Sequence, residues 1–446
     1  MPRRRDCALF FLALTFLYHS NLRPVASGDS LPGSLVPFSL MLDGSVTLDR
    51  FGPWIEEHVP YSGQIVRPHG GHWMSYYPVA GPVMIAPLYL PLLAVPGLRA
   101  MPPQTLIALA RIVEKLAAAA LAALAAVWML ALLHRLTAPR WAWVLAGVFA
   151  AGAGVWSTAS QALWQHTFGL VAIVACFDEL DRGRLLRCGV WAGIALLIRP
   201  TNAMLPAALA AALWLEGARR PAFVRLLAPV AVAGMLAVTY NWLALGTLAG
   251  GYPLRLDGNP AVGLAGLLVS PGRGLLFYTP VALFALAAGA PSARAGVHKH
   301  AALAFAAAVF AVLQLLLLSF WPVWWGGYCW GPRLLTEILP GVVIEIALAT
   351  PVLARRRVRT LFAAAALYGL GIQALGVYFY PKGHWDATPV SVDAAPARLW
   401  KLADNPILRT ASAGPALEPY DLVLTALRHG LPAARRRMGE LGIGGY

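Results

Sequence analysis

Charged residues are scarce in this chain of 446 residues. Asp, Glu, Lys and Arg together make up 12% of the sequence, about half of the roughly 25% that soluble proteins contain. The apolar set AVILMFWYC reaches 59%, and the mean hydropathy is +0.64. A soluble fold cannot bury so much apolar surface, and a disordered chain has the opposite composition. We therefore expect an all-α, polytopic integral membrane protein.

Lysine and cysteine are also scarce. Only four of the 35 basic residues are Lys, and the net charge of +15 is carried by Arg in short clusters between apolar stretches. This distribution is typical of the positive-inside rule, so we predict no nucleic-acid partner. The four cysteines are scattered without metal-ligand spacing, which argues against a disulfide framework and against a metal site. Neither GxxxxGK[ST] nor GxGxxG occurs as a nucleotide-binding fingerprint, and no cofactor is predicted.

The apolar segments and the Arg clusters predict a path through the membrane. The first segment lies in residues 1–22, behind three arginines, and a cleaved signal peptide is the alternative to a signal anchor. The Pro-rich segment Val79–Leu98 holds four prolines, which break a helix. If this segment does not cross the membrane, the later Arg clusters lie on the cytoplasmic side, and the chain has about 11 spans. The ten later spans are 105–133, 141–157, 162–177, 187–199, 201–215, 226–245, 275–290, 301–320, 334–353 and 360–380.

This path divides the chain into four regions. Residues 1–22 form the first transmembrane helix, and 23–104 form an extracytoplasmic loop with a Pro-broken, membrane-associated segment. Residues 105–380 form the transmembrane bundle, and 381–446 form an extracytoplasmic tail with an interfacial helix near Ala397–Pro406. Asp178, Glu179 and Asp181 face the cytoplasm and are expected in a solvated loop. The cytoplasmic loops are short and basic, so a functional site is expected on the outer face.

Two features of the first loop suggest chemistry. Asp29 follows the first span, where a carboxylate under protein cover can act as a general base; a helix N-cap is the alternative. The aromatic segment that ends at Pro78 is rich in side chains that contact sugars, and we select His72, Tyr76 and Tyr77 as candidate substrate-binding residues. An aromatic belt at the membrane interface accounts for the same residues without a ligand. The two histidines of this segment lack a third ligand, so no metal is predicted there.

The strongest external cluster is Trp321–Arg333, with four Trp, one Tyr and three Gly. Interfacial anchoring accounts for one or two of these Trp, but not for the glycines or for Arg333 at the start of the next helix. An Arg at a helix N-terminus opposes the helix dipole unless an anion binds there. We therefore predict that Arg333 binds an anion. Glu337 shares its helix face and either orients the guanidinium or neutralises it.

Two further positions can hold an anion or a sugar. Arg273 lies in the tight loop Ser270–Gly274, where backbone amides and the guanidinium can act together. His166 marks the outer end of a span and can bond a phosphate or a sugar; a helix-packing contact is the alternative. A catalytic role for Asp29 further requires that it and the Trp321–Arg333 cluster share one extracytoplasmic pocket.

The order of these segments resembles bacterial members of the GT-C superfamily, the multi-span glycosyltransferases that use polyprenyl-phosphate sugars, of the mannosyl- and aminoarabinosyltransferase type. In that superfamily the first outer loop carries a catalytic aspartate, a position that Asp29 matches. Arg and aromatic residues of later outer loops hold the lipid-linked phosphate, which suits Arg333 and Arg273. The resemblance rests on Asp29, Asp43-Gly44, Tyr76-Tyr77-Pro78, Ala162–His166, Tyr240-Asn241, Ser270–Gly274, Trp325-Gly326-Gly327 and Trp330–Arg333.

The resemblance implies a direct displacement with inversion. Asp29 would take the proton of an acceptor hydroxyl, and Arg333 with Arg273 would stabilise the departing polyprenyl phosphate. A sugar pocket would be shaped by Trp324, Trp325, Tyr328 and Tyr76. Some relatives use a metal with a paired acidic motif, which this sequence lacks, so metal independence is expected.

The implied protein is a hexosyl- or pentosyltransferase of the inner (plasma) membrane. Its partners are the lipid bilayer, a lipid-linked sugar donor, and an acceptor that the sequence does not identify among glycans, lipids and proteins. The alternative is a multi-span transporter or lipid flippase without glycosyl transfer. That function needs a polar path through the midplane of the membrane, where Glu345 is nearly alone.

Overall fold

The computed structural model describes residues 2–25, 27–59, 61–251 and 255–441. In these ranges the regular structure is helical apart from one antiparallel hairpin, whose tight turn is made by Gly70 and Gly71 with positive φ angles of 59° and 81°. Two residues with positive φ match the twist of the flanking strands. The N-terminal elements are α1 (Arg4–His19), α2 (Leu31–Asp43), α3 (Gly52–His58), β1 (Val66–His69), β2 (His72–Ser75) and α4 (Ala80–Ile85).

The Pro-rich segment does not form a straight helix. After α4 the chain continues as 3₁₀-helices over Ala86–Ala94 and Leu98–Ala100. Pro91 lies inside the first of these, where it lacks the amide donor that a continuous helix needs. The segment exposes large apolar side chains, including Met84 and Leu88. The predicted break is therefore present, while the membrane association of this segment stays a prediction.

The middle of the chain is a helical bundle that follows the predicted apolar segments closely. Its helices are α5 (Pro103–Leu136), α6 (Pro139–Ala151), α7 (Gln165–Asp181), α8 (Leu185–Ile198), α9 (Met204–Leu215), α10 (Arg220–Leu245), α11 (Pro260–Val269), α12 (Leu275–Tyr278), α13 (Arg294–Lys299), α14 (Ala301–Ser319), α15 (Leu339–Leu348), α16 (Thr350–Leu353) and α17 (Arg356–Tyr378). Shorter helical turns join them at Val155–Ala159, Pro200–Ala203, Pro280–Gly289, Pro291–Ala293 and Arg333–Ile338. Apart from α11 and α13, each helix coincides with a predicted span, because a long apolar run has only one way to satisfy its backbone groups in lipid.

Four helices of the described residues are long and apolar enough to cross a membrane, namely α5, α10, α14 and α17. The pair Pro280–Gly289 and Pro291–Lys299, bent by 79°, would make a fifth if it counts as one broken span. Helices such as Leu185–Ile198 are apolar but shorter. The chain is thus a polytopic helical membrane protein, and the number of about 11 spans stays a prediction.

Asp178, Glu179 and Asp181 are not in a solvated loop, so that prediction was wrong. Asp178 is buried and accepts hydrogen bonds from Arg135 Nη2 at 2.6 Å and from Arg182 Nε at 2.8 Å. Asp181 Oδ1 lies 2.6 Å from Nδ1 of His300. These ion pairs join the end of α5 to α7 and to the start of α14. Helix-to-helix ion pairs of this kind cannot be recognised from spacing along one segment.

The tail continues from α17 and packs back onto the bundle. Its helices are α18 (Pro406–Ala413), α19 (Glu418–His429) and α20 (Leu431–Glu440). The predicted interfacial helix near Ala397–Pro406 is only a 3₁₀-helix over Pro396–Trp400, with Leu399 buried against the Ser270–Gly274 loop. Tyr420 of α19 donates a hydrogen bond of 2.6 Å to the carbonyl of Ser20, so the tail also contacts the end of α1.

Candidate active site

Asp29 lies in the 3₁₀ turn Gly28–Ser30, between the end of α1 and the start of α2. The cap of this turn is Ser27, whose hydroxyl accepts a hydrogen bond of 3.2 Å from the Asp29 amide. Ser27, and not Asp29, therefore caps this turn, so the alternative role of Asp29 as a helix N-cap is not seen. One carboxylate oxygen lies 2.7 Å from Nη1 of Arg333, and the other accepts a hydrogen bond of 2.9 Å from the Tyr77 hydroxyl. The carboxylate thus joins the first loop to the Trp-rich hairpin.

Arg333 is held from three sides. Beside the contact with Asp29, its Nη2 donates a hydrogen bond of 2.7 Å to the carbonyl of Gly326, and its guanidinium lies 4.4 Å from the ring centroid of Trp164. Gly326 and Gly327 have positive φ angles of 75° and 68°, which explains the glycines of the hairpin: they turn a carbonyl towards the guanidinium. Nε of Arg333 is buried and has no hydrogen-bond partner among the described residues. One donor is therefore available for an incoming anion.

The charge on Arg333 is secure. Burial opposes it, but the Asp29 carboxylate together with Cys329 and Tyr77 outweighs burial and raises the pKa of Arg333 above its ordinary value. A buried guanidinium next to an aromatic face is attracted further by the ring quadrupole. This arrangement holds a permanent positive charge where the first loop meets the hairpin.

Cavities lie on both sides of the Asp29–Arg333 pair. The cavity on the Asp29 side is lined by Asp29, Pro32, Gly33, Ser75, Tyr77, Pro78, Gly81, Pro82, Leu163, Gln165, Phe168 and Ile198. The cavity on the Arg333 side is lined by Val25, Ser157, Thr158, Trp164, Tyr328, Cys329, Trp330, Arg333 and Tyr380. Aromatic rings make up much of the second lining. Asp29 lines the first cavity and Arg333 lines the second, so the ion pair borders both.

His166 and Glu337 meet in a buried network beside this site. The Glu337 carboxylate contacts the guanidinium of Arg199 and accepts a hydrogen bond of 2.8 Å from Nδ2 of Asn202. Nδ1 of His166 lies 3.3 Å from the same carboxylate. Gly169 of α7 allows this approach, because a side chain there would collide with the carboxylate. Glu337 therefore pairs with Arg199. The spacing along the sequence had suggested a pair with Arg333 instead.

Arg273 is occupied by another partner. Its guanidinium contacts the Asp386 carboxylate and donates a hydrogen bond of 2.9 Å to the carbonyl of Gly272, and it lies 5.2 Å from the ring centroid of Trp385. Burial opposes the charge, but Asp386 together with Cys329, Tyr278 and Tyr380 outweighs burial and raises the pKa of Arg273. Arg273 does not contact Asp29 or Arg333. Its partner lies far along the chain in the tail, where no sequence signal identified it.

The aromatic residues of the hairpin contact the tail. Trp325 Nε1 donates a hydrogen bond of 2.7 Å to Asp393, and the Tyr328 hydroxyl bonds Ser391 at 2.8 Å. Trp324 is buried, with its ring centroid 5.7 Å from that of Trp325. Of these three side chains, Tyr328 lines the cavity on the Arg333 side.

The first-loop candidates divide into two groups. Tyr77 contacts Asp29, and the ring of Tyr76 packs edge-on against that of Tyr77 with centroids 5.4 Å apart. His72 lies on β2 and is exposed, with Nδ1 2.8 Å from Asp49. Hydrogen bonds from His72, Thr47 and the Trp73 amide outweigh burial and lower the pKa of Asp49. In the described part of the chain, no three His, Cys, Asp or Glu side chains form a group that could hold a metal.

Comparison with known proteins identifies the fold. No protein-family model matches the chain, and no curated protein matches it in sequence. Its structure is similar to that of ArnT from Cupriavidus metallidurans bound to undecaprenyl phosphate, with a TM-score of 0.50 and 15% identity over 98% of this chain and 75% of that one. ArnT in the apo state gives a TM-score of 0.48 and 15% identity over 97% and 74%. At this identity the similarity shows the fold alone: the chain has the fold of ArnT.

Sequence reasoning missed two residues of the candidate site and of the buried network beside it. Trp164 stacks on Arg333, and Arg199 neutralises Glu337. Trp164 lies within the Ala162–His166 motif, two residues before His166. This position next to a candidate site residue could have marked Trp164 as a candidate as well. Arg199 ends α8 and faces a residue of a distant turn, for which spacing within one helix offers no signal.

Proposed function

We propose that this chain is a membrane glycosyltransferase that moves a sugar from a polyprenyl-phosphate donor to an acceptor hydroxyl on the extracytoplasmic face. The observation that carries the proposal is the contact of 2.7 Å between Asp29 and Arg333 at the boundary of two cavities. A carboxylate suited to accept a proton and a guanidinium suited to bind a phosphate meet there, as glycosyl transfer from a lipid phosphate requires.

The fold supports the nature of the donor. ArnT, whose fold this chain shares, has been crystallised with undecaprenyl phosphate. A polyprenyl phosphate combines an anionic head with a long apolar tail. A buried Arg with an unpartnered donor, inside an apolar helical bundle, suits both parts of such a molecule.

The proposed step is a direct displacement with inversion. Asp29 accepts the proton of the acceptor hydroxyl while that oxygen forms a bond to the anomeric carbon. The bond between the anomeric carbon and the phosphate oxygen breaks, and its electron pair leaves with the polyprenyl phosphate. Arg333 stabilises the negative charge that develops there. Tyr77 holds the carboxylate of Asp29 through its hydrogen bond of 2.9 Å and so fixes the direction of proton transfer.

The resting contact between Asp29 and Arg333 is compatible with this chemistry. The phosphodiester of the donor has two non-bridging oxygens that carry its charge and can accept hydrogen bonds from the guanidinium, including the unpartnered Nε of Arg333. Binding of the phosphate therefore draws the guanidinium away from Asp29. The carboxylate is then free to accept a proton from the second substrate.

The distribution of charge supports an extracytoplasmic site. Arg111 and Arg135 lie near opposite ends of α5, about 36 Å apart at 1.5 Å per residue. The Arg111 end contacts the turn that carries Asp29, whereas the Arg135 end holds the ion pairs with Asp178 and Asp181. The neighbouring loops at that second end are rich in Arg, which is typical of cytoplasmic loops.

The experiment is an assay of the purified protein in detergent or nanodiscs with a panel of radiolabelled polyprenyl-phosphate hexoses and pentoses. Acceptors are tested as glycan, lipid and peptide fractions, and both labelled product and released lipid phosphate are measured. We expect one donor to give lipid phosphate in an amount equal to the sugar transferred. Proton NMR of the product would show inversion at the anomeric carbon.

Two outcomes would contradict the proposal. Passage of intact lipid-linked sugar across a vesicle membrane without release of lipid phosphate would indicate a flippase. Absence of transfer with every donor, although the protein binds undecaprenyl phosphate, would exclude glycosyl transfer from these donors. The matched control is the Asp29→Asn protein, prepared in the same way.

A further inference from the structure

We propose that Glu114 and Arg111 of α5 are positioning residues that hold Asp29 and Arg333 in register; this inference rests on the proposed function. Neither residue contacts the cavities on the two sides of the ion pair. Each acts through another residue: Arg111 through the turn that carries Asp29, and Glu114 through both Arg111 and the segment that carries Trp164. One buried carboxylate thereby connects the two halves of the site.

Arg111 holds the Asp29 turn from outside. Its Nη1 donates a hydrogen bond of 3.1 Å to the Ser30 hydroxyl, and its Nη2 donates one of 3.4 Å to the Ser27 carbonyl. Ser27 and Ser30 flank Asp29 in the chain, so these two bonds fix the orientation of the short turn. A turn of three residues has too few internal bonds to fix its own orientation, and the guanidinium fork supplies the missing contacts.

Glu114 connects this turn to the cation–π partner of Arg333. One oxygen of its carboxylate lies 2.7 Å from Nη1 of Arg111, and the other accepts a hydrogen bond of 3.0 Å from the Leu163 amide. Trp164 follows directly, and its ring lies against the Arg333 guanidinium. Without Glu114, the turn that carries Asp29 and the segment that holds Trp164 against Arg333 could shift independently of each other.

The next residue of α5 strengthens the same connection. Nζ of Lys115 donates hydrogen bonds of 2.5 Å to Oε1 of Gln161 and 3.5 Å to the carbonyl of Ser160. Asn21, at the end of α1, donates a hydrogen bond of 2.9 Å to the same Gln161 oxygen. One turn of α5 thus holds both the chain before Asp29 and the chain before Trp164.

A merely structural ion pair would not need this arrangement. Arg111 and Glu114 are spaced to pair along one helix, and such a pair stabilises a helix without further partners. Here Glu114 is completely buried, and each oxygen has a different partner on either side of the site. The carboxylate therefore joins the segment of Asp29, through Arg111, to the segment of Trp164, through the Leu163 amide.

The two connections can be broken separately. In the Glu114→Gln protein the amide oxygen still accepts from Leu163, but the amide NH₂ faces the Arg111 guanidinium and cannot pair with it. The Arg111→Met protein loses the same connection from the other side. We expect both to lower the turnover number about 10²-fold, because a displacement near 1 Å costs that much. Binding of undecaprenyl phosphate, measured by thermal shift titration, should stay within about twofold, since Trp164 and Arg333 keep their places.

Two further variants test the coupling. The double variant Arg111→Met, Glu114→Gln should be no worse in turnover than either single variant, because both remove one connection. The Glu114→Ala protein loses the Leu163 bond as well, so it should also weaken undecaprenyl phosphate binding several-fold. A purely structural role predicts additive losses and no such separation between turnover and binding.

The matched control is Asp178→Asn, which removes an equally buried, Arg-paired carboxylate at the opposite end of the bundle. It should lower the melting temperature without lowering turnover per folded molecule. Wild-type turnover in Glu114→Gln and Arg111→Met would overturn the inference, and so would turnover losses that merely follow the melting temperature as in the control. Failure of the wild-type protein itself to transfer sugar would instead identify the proposed function as the error, and the positioning role would fall with it.

Discussion

Two Arg–Asp pairs flank the Trp-rich hairpin, and they differ in what surrounds them. The Arg333–Asp29 pair has one enclosed member and one open one, with side chains 9% and 35% exposed. In the Arg273–Asp386 pair the side chains are only 1% and 5% exposed. The first pair lies between two cavities, whereas the second connects the Ser270–Gly274 loop to the tail. The same two residue types thus form the proposed reactive site in one place and a buried connection in the other.

The partners of the two pairs are otherwise alike. Each guanidinium lies against a Trp ring, Trp164 for one and Trp385 for the other. Each carboxylate accepts a hydrogen bond from a Tyr hydroxyl, Tyr77 at 2.9 Å and Tyr380 at 2.8 Å. Local chemistry therefore does not distinguish catalysis from folding here. Access to a cavity does, because only an exposed carboxylate can accept a proton from a substrate.

The largest expected effect on transfer is that of Asp29→Asn, which should distinguish Asp29 from Asp386. Asp29→Asn removes the base, so we expect transfer to fall about 10²- to 10⁴-fold, the usual contribution of a general base. The melting temperature should change little, since the Asn oxygen can still accept from Arg333. The measurement is the release of lipid phosphate at saturating donor. Unimpaired transfer would remove Asp29 from the mechanism.

Asp386→Asn should show the reverse pattern. Loss of one partner from a buried ion pair costs about 3–5 kcal/mol of stability, because the remaining charge is left unpaired. Thermal unfolding in detergent would measure this loss, and turnover per folded molecule should be retained. If this protein folds normally but loses transfer, Arg273 belongs to the donor site after all, as the sequence predicted.

A smaller effect is expected from the tyrosines. Tyr77→Phe removes one hydrogen bond to a charged carboxylate, worth about 1.5–3 kcal/mol when fully desolvated and less where the carboxylate is partly exposed. Turnover should therefore fall by about tenfold, with the affinity for lipid phosphate unchanged. The control is Tyr380→Phe, which should alter stability alone. Equal loss of activity in both variants would remove the distinction between the pairs.

The tryptophans should differ in ligand binding. Trp164→Leu removes a cation–π contact worth about 0.5–2 kcal/mol, so undecaprenyl phosphate should bind about 2- to 30-fold more weakly. Trp385→Leu should leave that affinity unchanged. Titration of both proteins with the lipid phosphate makes the comparison. A weaker affinity in the Trp385 variant alone would place the phosphate at Arg273.

The smallest expected effect is that of chelation. Because the proposed mechanism assigns the stabilising positive charge to Arg333, EDTA should change the rate of transfer by less than about twofold. Addition of Mn²⁺ or Mg²⁺ after dialysis should not raise it. A metal-dependent rate would require ligands that the proposed mechanism does not include.

Much of the helical framework was predictable. Long apolar runs such as the one that forms α5 can satisfy their backbone groups in lipid only as helices, so their positions followed from composition. The threading predicts only that Asp29 and Arg333 lie on the same side of the membrane; that they share one pocket was a condition of the catalytic interpretation, and their direct ion pair was not predicted. The resemblance to the GT-C superfamily pointed to the same two residues.

The partners across the fold were not predictable. Asp386 pairs with Arg273 from a tail that carried no recognisable motif, and Asp178 is buried by an Arg of another helix. Spacing along one helix reveals neighbours only within that helix, as for Arg111 and Glu114. Contacts between distant segments depend on how the helices pack, which periodicity does not encode.

The attachment of the tail to the hairpin has a consequence for biosynthesis. Trp325 and Tyr328 obtain their partners Asp393 and Ser391 from a segment that leaves the ribosome after every apolar helix of the bundle. The hairpin that presents Arg333 is thus secured last. A nascent chain that has already entered the membrane lacks these contacts, and the proposed site is complete only when translation is nearly over.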